Sequence, residues 1–144
     1  QRLLPKLCPQ CSRPFSEAMN AGIVSHDLQQ RVMSVSSLAD HDVRLRNHHG
    51  CPNCNHGIID RMPAAEFLLP DTHYLHLVSE GKSIEAKEYW RKSLGKPISG
   101  MEETGIYGTG LGVTALAHGI YLMRQGFVDP RDIEQALEAL SSDN

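Results

Sequence analysis

The chain has 144 residues, 40% of them hydrophobic, and a net charge of −3. That length holds one domain, or a small domain with an appendage, around a modest core that a metal staple would reinforce. The acidic balance argues against nucleic acid as the main partner, and no apolar stretch approaches the ~20 residues of a membrane span.

Residues 1–15 read as a short apolar entry into a first cysteine knuckle, Cys8-Pro9-Gln10-Cys11. A helix is expected near 25–38, with Ser25 as N-cap and Leu28, Val32 and Val35 on one face. From Asp42 the period changes to two, with Val43 and Leu45 alternating with Arg44 and Arg46 as in a half-buried strand. A second knuckle, Cys51-Pro52-Asn53-Cys54, follows, and Ile58 to Leu69 reads as an irregular return strand broken by Pro63. Strand, knuckle and strand are expected to form a small β-ribbon. Beyond Pro70 the punctuation is helical. Asp71 caps a helix carrying Leu75 and Val78, and Ser83 starts another with Ala86, Trp90 and Leu94. The glycine-rich stretch Gly95–Gly112 reads as a linker loop, Thr114 opens a helix through Leu116, Ile120 and Met123, and Gly126 stops it. Asp129, Pro130 and Asp132 mark the start of a last helix with Ile133, Leu137 and Leu140 as its stripe, ahead of a frayed tail at Ser141–Asn144. The expected fold is mainly α with a small β-ribbon: a tetracysteine knuckle subdomain over 1–70, with the 25–38 helix inserted, then a C-terminal helical bundle over 71–144.

Cys8, Cys11, Cys51 and Cys54 are the only cysteines, and both pairs have the form C-P-x-C. A two-residue spacer turns both thiolates onto one cation, and four sulfurs fill the tetrahedral shell of a structural zinc, leaving no open position for water or substrate. Two disulfides would require an oxidising compartment, and nothing at the N-terminus reads as a signal peptide. Residues 12–50 separate the pairs, longer than the ~15–20 of common zinc ribbons but long enough to hold the Ser25 helix.

Eight histidines invite other metal or acid–base readings. His48, His49 and His56 flank the second knuckle, where four cysteines leave them a supporting or solvent role. His73 and His76 lack an accompanying carboxylate motif, and His118 reads as a partly buried helix residue. Gly108-Thr109-Gly110-Leu111-Gly112 lacks the Lys-Ser/Thr pair of a phosphate loop. No G-x-S-x-G, H-E-x-x-H or Ser/His/Asp arrangement is visible, so the residues point to no catalytic apparatus in this chain. Arg44, Arg46 and Arg61 form a basic cluster near the knuckles; such a cluster is usually a solvated ribbon face, though this strip could dock an acidic partner surface.

The order of the parts is more telling than any one of them. Gln1-Arg2-Leu3 leading into Leu7-Cys8-Pro9-Gln10-Cys11 resembles the "A-Q-R-L-v-r-x-L-C-x-x-C" stretch that closes the ATPase core of type II secretion and type IV pilus assembly motors. In that family a second C-x-x-C follows, then G-Y-x-G-R-x-G-x-x-E. Here Gly57, Arg61 and Glu66 match, while Ile58 replaces the aromatic and Asp60 and Pro63 stand where the family often has glycine. Met123-Arg124-Gln125-Gly126 and the Asp129 helix look like the family's ending, and Ala64-Ala65-Glu66-Phe67-Leu68-Leu69-Pro70-Asp71 looks most like the branch serving conjugative thin pili and bundle-forming pili.

The resemblance implies a C-terminal zinc-binding fragment of a hexameric ATPase. The opening at Gln1, without an initiator Met, reads as a cut inside a longer protein. ATP and magnesium would then belong to the absent upstream core. The implied partners are the rest of the chain and hexamer and an inner-membrane platform protein. The implied location is cytoplasmic, peripheral to the bacterial inner membrane. A free-standing zinc-ribbon adaptor between proteins is the alternative, and a nucleic-acid-binding ribbon is disfavoured by the acidic charge and 6% aromatic content.

Overall fold

The computed structural model describes residues 1–92, 96–97, 107–108 and 112–141. Strand β1 (Arg2–Leu7) runs into the first knuckle, and β2 (Arg13–Pro14) leaves it for helix α1 (Phe15–Asn20). Helix α2 (His26–Val35) follows, then β3 (Arg44–Leu45), the second knuckle, β4 (Ile58–Ala64) and β5 (Phe67–Leu68). Helices α3 (Thr72–Ser79) and α4 (Ser83–Lys92) form a hairpin. Strands β6 (Lys96–Pro97), β7 (Tyr107–Gly108) and β8 (Gly112–Val113) precede α5 (Ala115–Arg124) and α6 (Pro130–Ala136).

The chain is therefore a mixture of helix and antiparallel strand rather than mainly α: the described residues hold six helices and four two-stranded antiparallel sheets. The ribbon also has a different partner from the one expected. β4 pairs with β1, from Arg2 opposite Ala64 to Leu7 opposite Ile58, whereas the alternating stretch around Val43 contributes only β3, which pairs with β2. Pro63 does not break β4; it sits opposite Leu3, as Pro5 sits opposite Arg61. In a two-stranded ribbon each strand has a free edge, so a proline facing outward removes no ladder bond. Part of the Gly95–Gly112 segment is strand too, β6 on β7 and β8 on β5, and its remainder lies outside the described residues, as do residues 142–144.

The helix starts follow from their caps. Ser25 accepts from the Leu28 amide, Asp71 from Tyr74, Thr114 from Ala117 and Asp129 from Arg131, each satisfying a first-turn donor. Glu66 adds a second acceptor at the α5 start, taking the Ala115 amide.

One hydrophobic cluster joins both ends of the chain. Leu4, Phe15, Leu28, Val32, Val43, Leu45 and Ala64 pack with Leu116, Leu122, Met123, Val128, Ile133 and Leu140. Polar ties reinforce it. Arg31 of α2 makes a two-pronged bond to Glu134 of α6, at 2.7 and 3.0 Å, and Arg124 of α5 donates to the Val35 carbonyl that ends α2. The α3–α4 hairpin stands apart from this core. α3 buries none of its residues, and Ala86 and Trp90 are the buried positions of α4. No helix among the described residues is long and apolar enough to cross a membrane.

Candidate metal centre

Both knuckles hang from the β1–β4 ribbon. β1 delivers Cys8 as it ends, Cys11 lies one turn on, and Cys51 and Cys54 lie between β3 and β4. The four sulfurs converge: their Sγ atoms all lie within 4.8 Å of one another. Cys8 and Cys51 are 3.8 Å apart, Cys11 and Cys54 3.7 Å, and Cys51 and Cys54 3.6 Å. A tetrahedron of sulfurs at the zinc–sulfur bond length of ~2.3 Å has edges of about 3.8 Å, so these separations fit a four-thiolate zinc shell. They are far too long for disulfides, and all four cysteines are free.

The electrostatics of the four thiols point the same way. Burial opposes ionisation of Cys54, but the amides of Cys51 and Gly57 donate to its sulfur and bring its pKa down to about 7. Burial and the three neighbouring thiols push Cys11 up to about 12. Four thiols this close cannot all ionise unless a cation supplies the opposing charge.

Gly57 links the two knuckles. Its N–H reaches the Cys54 sulfur at 3.3 Å, and its carbonyl accepts the Cys8 amide at 2.9 Å. The backbone there has φ +88°, and a Cβ would stand 2.3 Å from the Asn47 carbonyl oxygen. Gly57→Ala is accordingly expected to destabilise the protein by more than ~2 kcal/mol, because left-handed backbone strain and a backbone clash act together. Gly22→Ala is the control: φ is +69° but nothing lies within 4 Å of the new methyl. Denaturant melts of the two variants should separate clearly, and equal midpoints would remove Gly57 from its bridging role.

Two arginines brace the site from behind. Arg44 donates to the Ser12 hydroxyl at 2.8 Å and to the Ser12 carbonyl at 2.7 Å, and pairs with Asp42. Arg46 donates from Nε to the His56 carbonyl at 2.7 Å. The strip expected from Arg44, Arg46 and Arg61 is therefore not one free face, since Arg44 is committed to holding the exit of the first knuckle. Sequence reading missed this because the serine after Cys11 carries no ligand signature. It also missed Asp129 as more than a cap: its Oδ2 accepts the Arg46 amide at 2.8 Å and ties α6 to the strand before the second knuckle.

The histidines do not join the centre. Among the described residues the cluster of potential ligands comprises only the four cysteines. His73 packs edge-on against Tyr89, and His76 meets Glu80 at 3.2 Å. His118 accepts the Ala65 amide, and burial lowers its pKa.

No curated protein matches the chain. A family model described as Type II/IV secretion system protein matches residues 1–118, a span that takes in both cysteine pairs, and the chain therefore belongs to that family.

Proposed function

We propose that this chain is the C-terminal zinc-binding part of a hexameric secretion or pilus-assembly ATPase, of the branch that serves conjugative thin pili or bundle-forming pili. Cys8, Cys11, Cys51 and Cys54 hold one structural zinc, and nucleotide chemistry belongs to the core upstream. The zinc fixes a rigid lobe at the cytoplasmic side of the inner membrane, which docks on a platform protein and passes motor motion to it. The observation that carries this reading is the convergence of four thiols at tetrahedral edge lengths within a chain of this family. A saturated four-thiolate shell leaves no position for water activation, which favours a structural over a catalytic metal.

Elemental analysis of protein purified without added metal is expected to give close to one equivalent of zinc per chain. A ratio near zero, with disulfides found after denaturation without reductant, would overturn the metal reading. In the parent ATPase, Cys51→Ser with Cys54→Ser is expected to abolish pilus or secretion output while ATP hydrolysis by the core persists. Undiminished output from the zinc-free protein would remove the lobe from the transmission path.

A further inference from the structure

The arginines sort by what they hold. Arg31, Arg44, Arg124 and Arg131 are each engaged by a carboxylate, a hydroxyl or a carbonyl of the fold. Among the described residues, the side chains of Arg13 and Arg61 have no hydrogen bond or ion pair, and Arg46 makes side-chain hydrogen bonds through its Nε alone. These three lie around the second knuckle. Arg46 lines two small clefts at once. One, of about 220 Å³, is completed by Pro5, Asn55, His56, Ile58 and Arg61. The other, of about 190 Å³, has Arg13, His48, His49 and Arg131 on its polar side and Ile23 and Leu45 among its apolar walls.

Little on this face offsets the charge. Asp129 is buried and spent on Arg131 and the Arg46 amide, and Asp60 lines neither cleft. Asp132, near Arg46, Arg131 and His48, is pushed up toward its neutral form by burial and by Asp129. A basic face thus stands out on a chain whose net charge is −3.

We propose that this face binds an acidic segment of a partner protein, with two carboxylate side chains entering the clefts on either side of Arg46. Guanidinium forks match carboxylates two bonds at a time, and side-chain-sized clefts with Pro5 and Ile58 or Leu45 and Ile23 as walls suit the methylenes of glutamate. A long polyanion is a poorer fit, because the rest of the chain repels it and few aromatic side chains are available for stacking. This deepens the docking role proposed above. Its test needs only the metal-loaded chain, so failure here would leave the zinc stoichiometry and its own test standing.

The experiment is fluorescence anisotropy of a labelled hexaglutamate peptide titrated with the full chain, with hexaglutamine as the uncharged control. Hexaglutamate should bind, more tightly at low salt, and hexaglutamine should not. Arg13→Glu with Arg61→Glu is expected to weaken binding about tenfold or more, and the neutral pair Arg13→Gln with Arg61→Gln by a smaller factor. Arg91→Glu, on the last turn of α4, should change nothing. Zinc content should be the same in all of them. The inference fails if the double variants bind as Arg91→Glu does, or if they lose zinc, which would show that the arginines only offset the charge of the metal–thiolate centre. It also fails if anionic phosphatidylglycerol vesicles or oligouridylate bind better than hexaglutamate.

Discussion

Removing the metal, or one of its ligands by Cys54→Ser, is expected to melt helices that touch no cysteine. Structural zinc supplies an apparent ~10–16 kcal/mol at neutral pH, comparable to or larger than the ~5–15 kcal/mol by which a whole domain is stable. That free energy is not confined to the knuckles. The Cys8 amide is held by Gly57, and the Leu7 amide next to it donates to the Phe127 carbonyl in the α5–α6 connection at 2.8 Å. The Asp42 amide donates to the Arg124 carbonyl at the end of α5, and Leu4, Val43 and Leu45 pack in the same cluster as Met123 and Ile133. Once the sulfurs are released, β1 and β3 lose their anchor, and α5 and α6 lose the surface they cover. Far-UV circular dichroism with and without a tight chelator should therefore show loss of helix well beyond the ribbon, and the apo-protein should lack a cooperative melt. The α3–α4 hairpin is the expected exception, since Ala86 and Trp90 lie outside that cluster. An unchanged melting curve after complete metal removal would exclude a structural role for the site.

The parts legible in the sequence are those whose chemistry is local. Ser25, Asp71, Thr114 and Asp129 each announce a helix start because a cap acts within three residues, and each accepts the amide expected of it. The cysteine pairs are legible because a two-residue spacer has one common geometric use. What stayed hidden depends on partners far along the chain. β1 does not show the alternation of a strand, since its buried residues are Leu4 and Leu7, with Pro5 among the residues between those two and a register shift between Lys6 and Leu7. Its pairing with β4 spans more than fifty positions, which no local pattern encodes. Helix α1 is six residues long and has Pro14 at its N-cap position with no side-chain cap bond, so it gave no start signal. The α5 stripe and the α6 start were readable, but α6 ends at Ala136, so Leu137 and Leu140 of its expected stripe lie beyond the helix. That the two helices cover the back of the ribbon was not readable. At the site itself the ligand set could be read while its bracing could not. Arg44 reads as a solvated strand charge until Ser12 is found beside it.

Asp129→Ala is expected to cost about 3 kcal/mol, far more than the ~1 kcal/mol of an ordinary N-cap. The side chain is 2% exposed and both oxygens are doubly used. Oδ1 takes the Arg131 amide at 2.8 Å and its Nε at 3.0 Å, and Oδ2 takes the Arg46 amide at 2.8 Å and an Arg131 terminal amine at 2.7 Å. Truncation leaves the Arg46 and Arg131 amides unpaired, at ~1–3 kcal/mol for each that stays buried. Arg131, 43% exposed, can turn to water, which keeps the total nearer the lower end of the ~3–5 kcal/mol typical of a broken buried pair. Asp129→Asn keeps one acceptor but turns an amide NH2 toward donors, so it should fall between the two. A consequence at the metal follows from the chain of bonds, because Arg46 is held by Asp129 through its backbone and in turn holds the His56 carbonyl beside Gly57. Loosening Arg46 frees the turn that presents the Gly57 amide to Cys54, and supporting bonds around zinc are worth about tenfold or more in affinity. Denaturant melts and zinc competition with a chelator should therefore report together: lower stability and faster zinc transfer in Asp129→Ala, with Asp129→Asn intermediate in both. A variant that loses stability but keeps its zinc as tightly as the parent would confine Asp129 to capping α6.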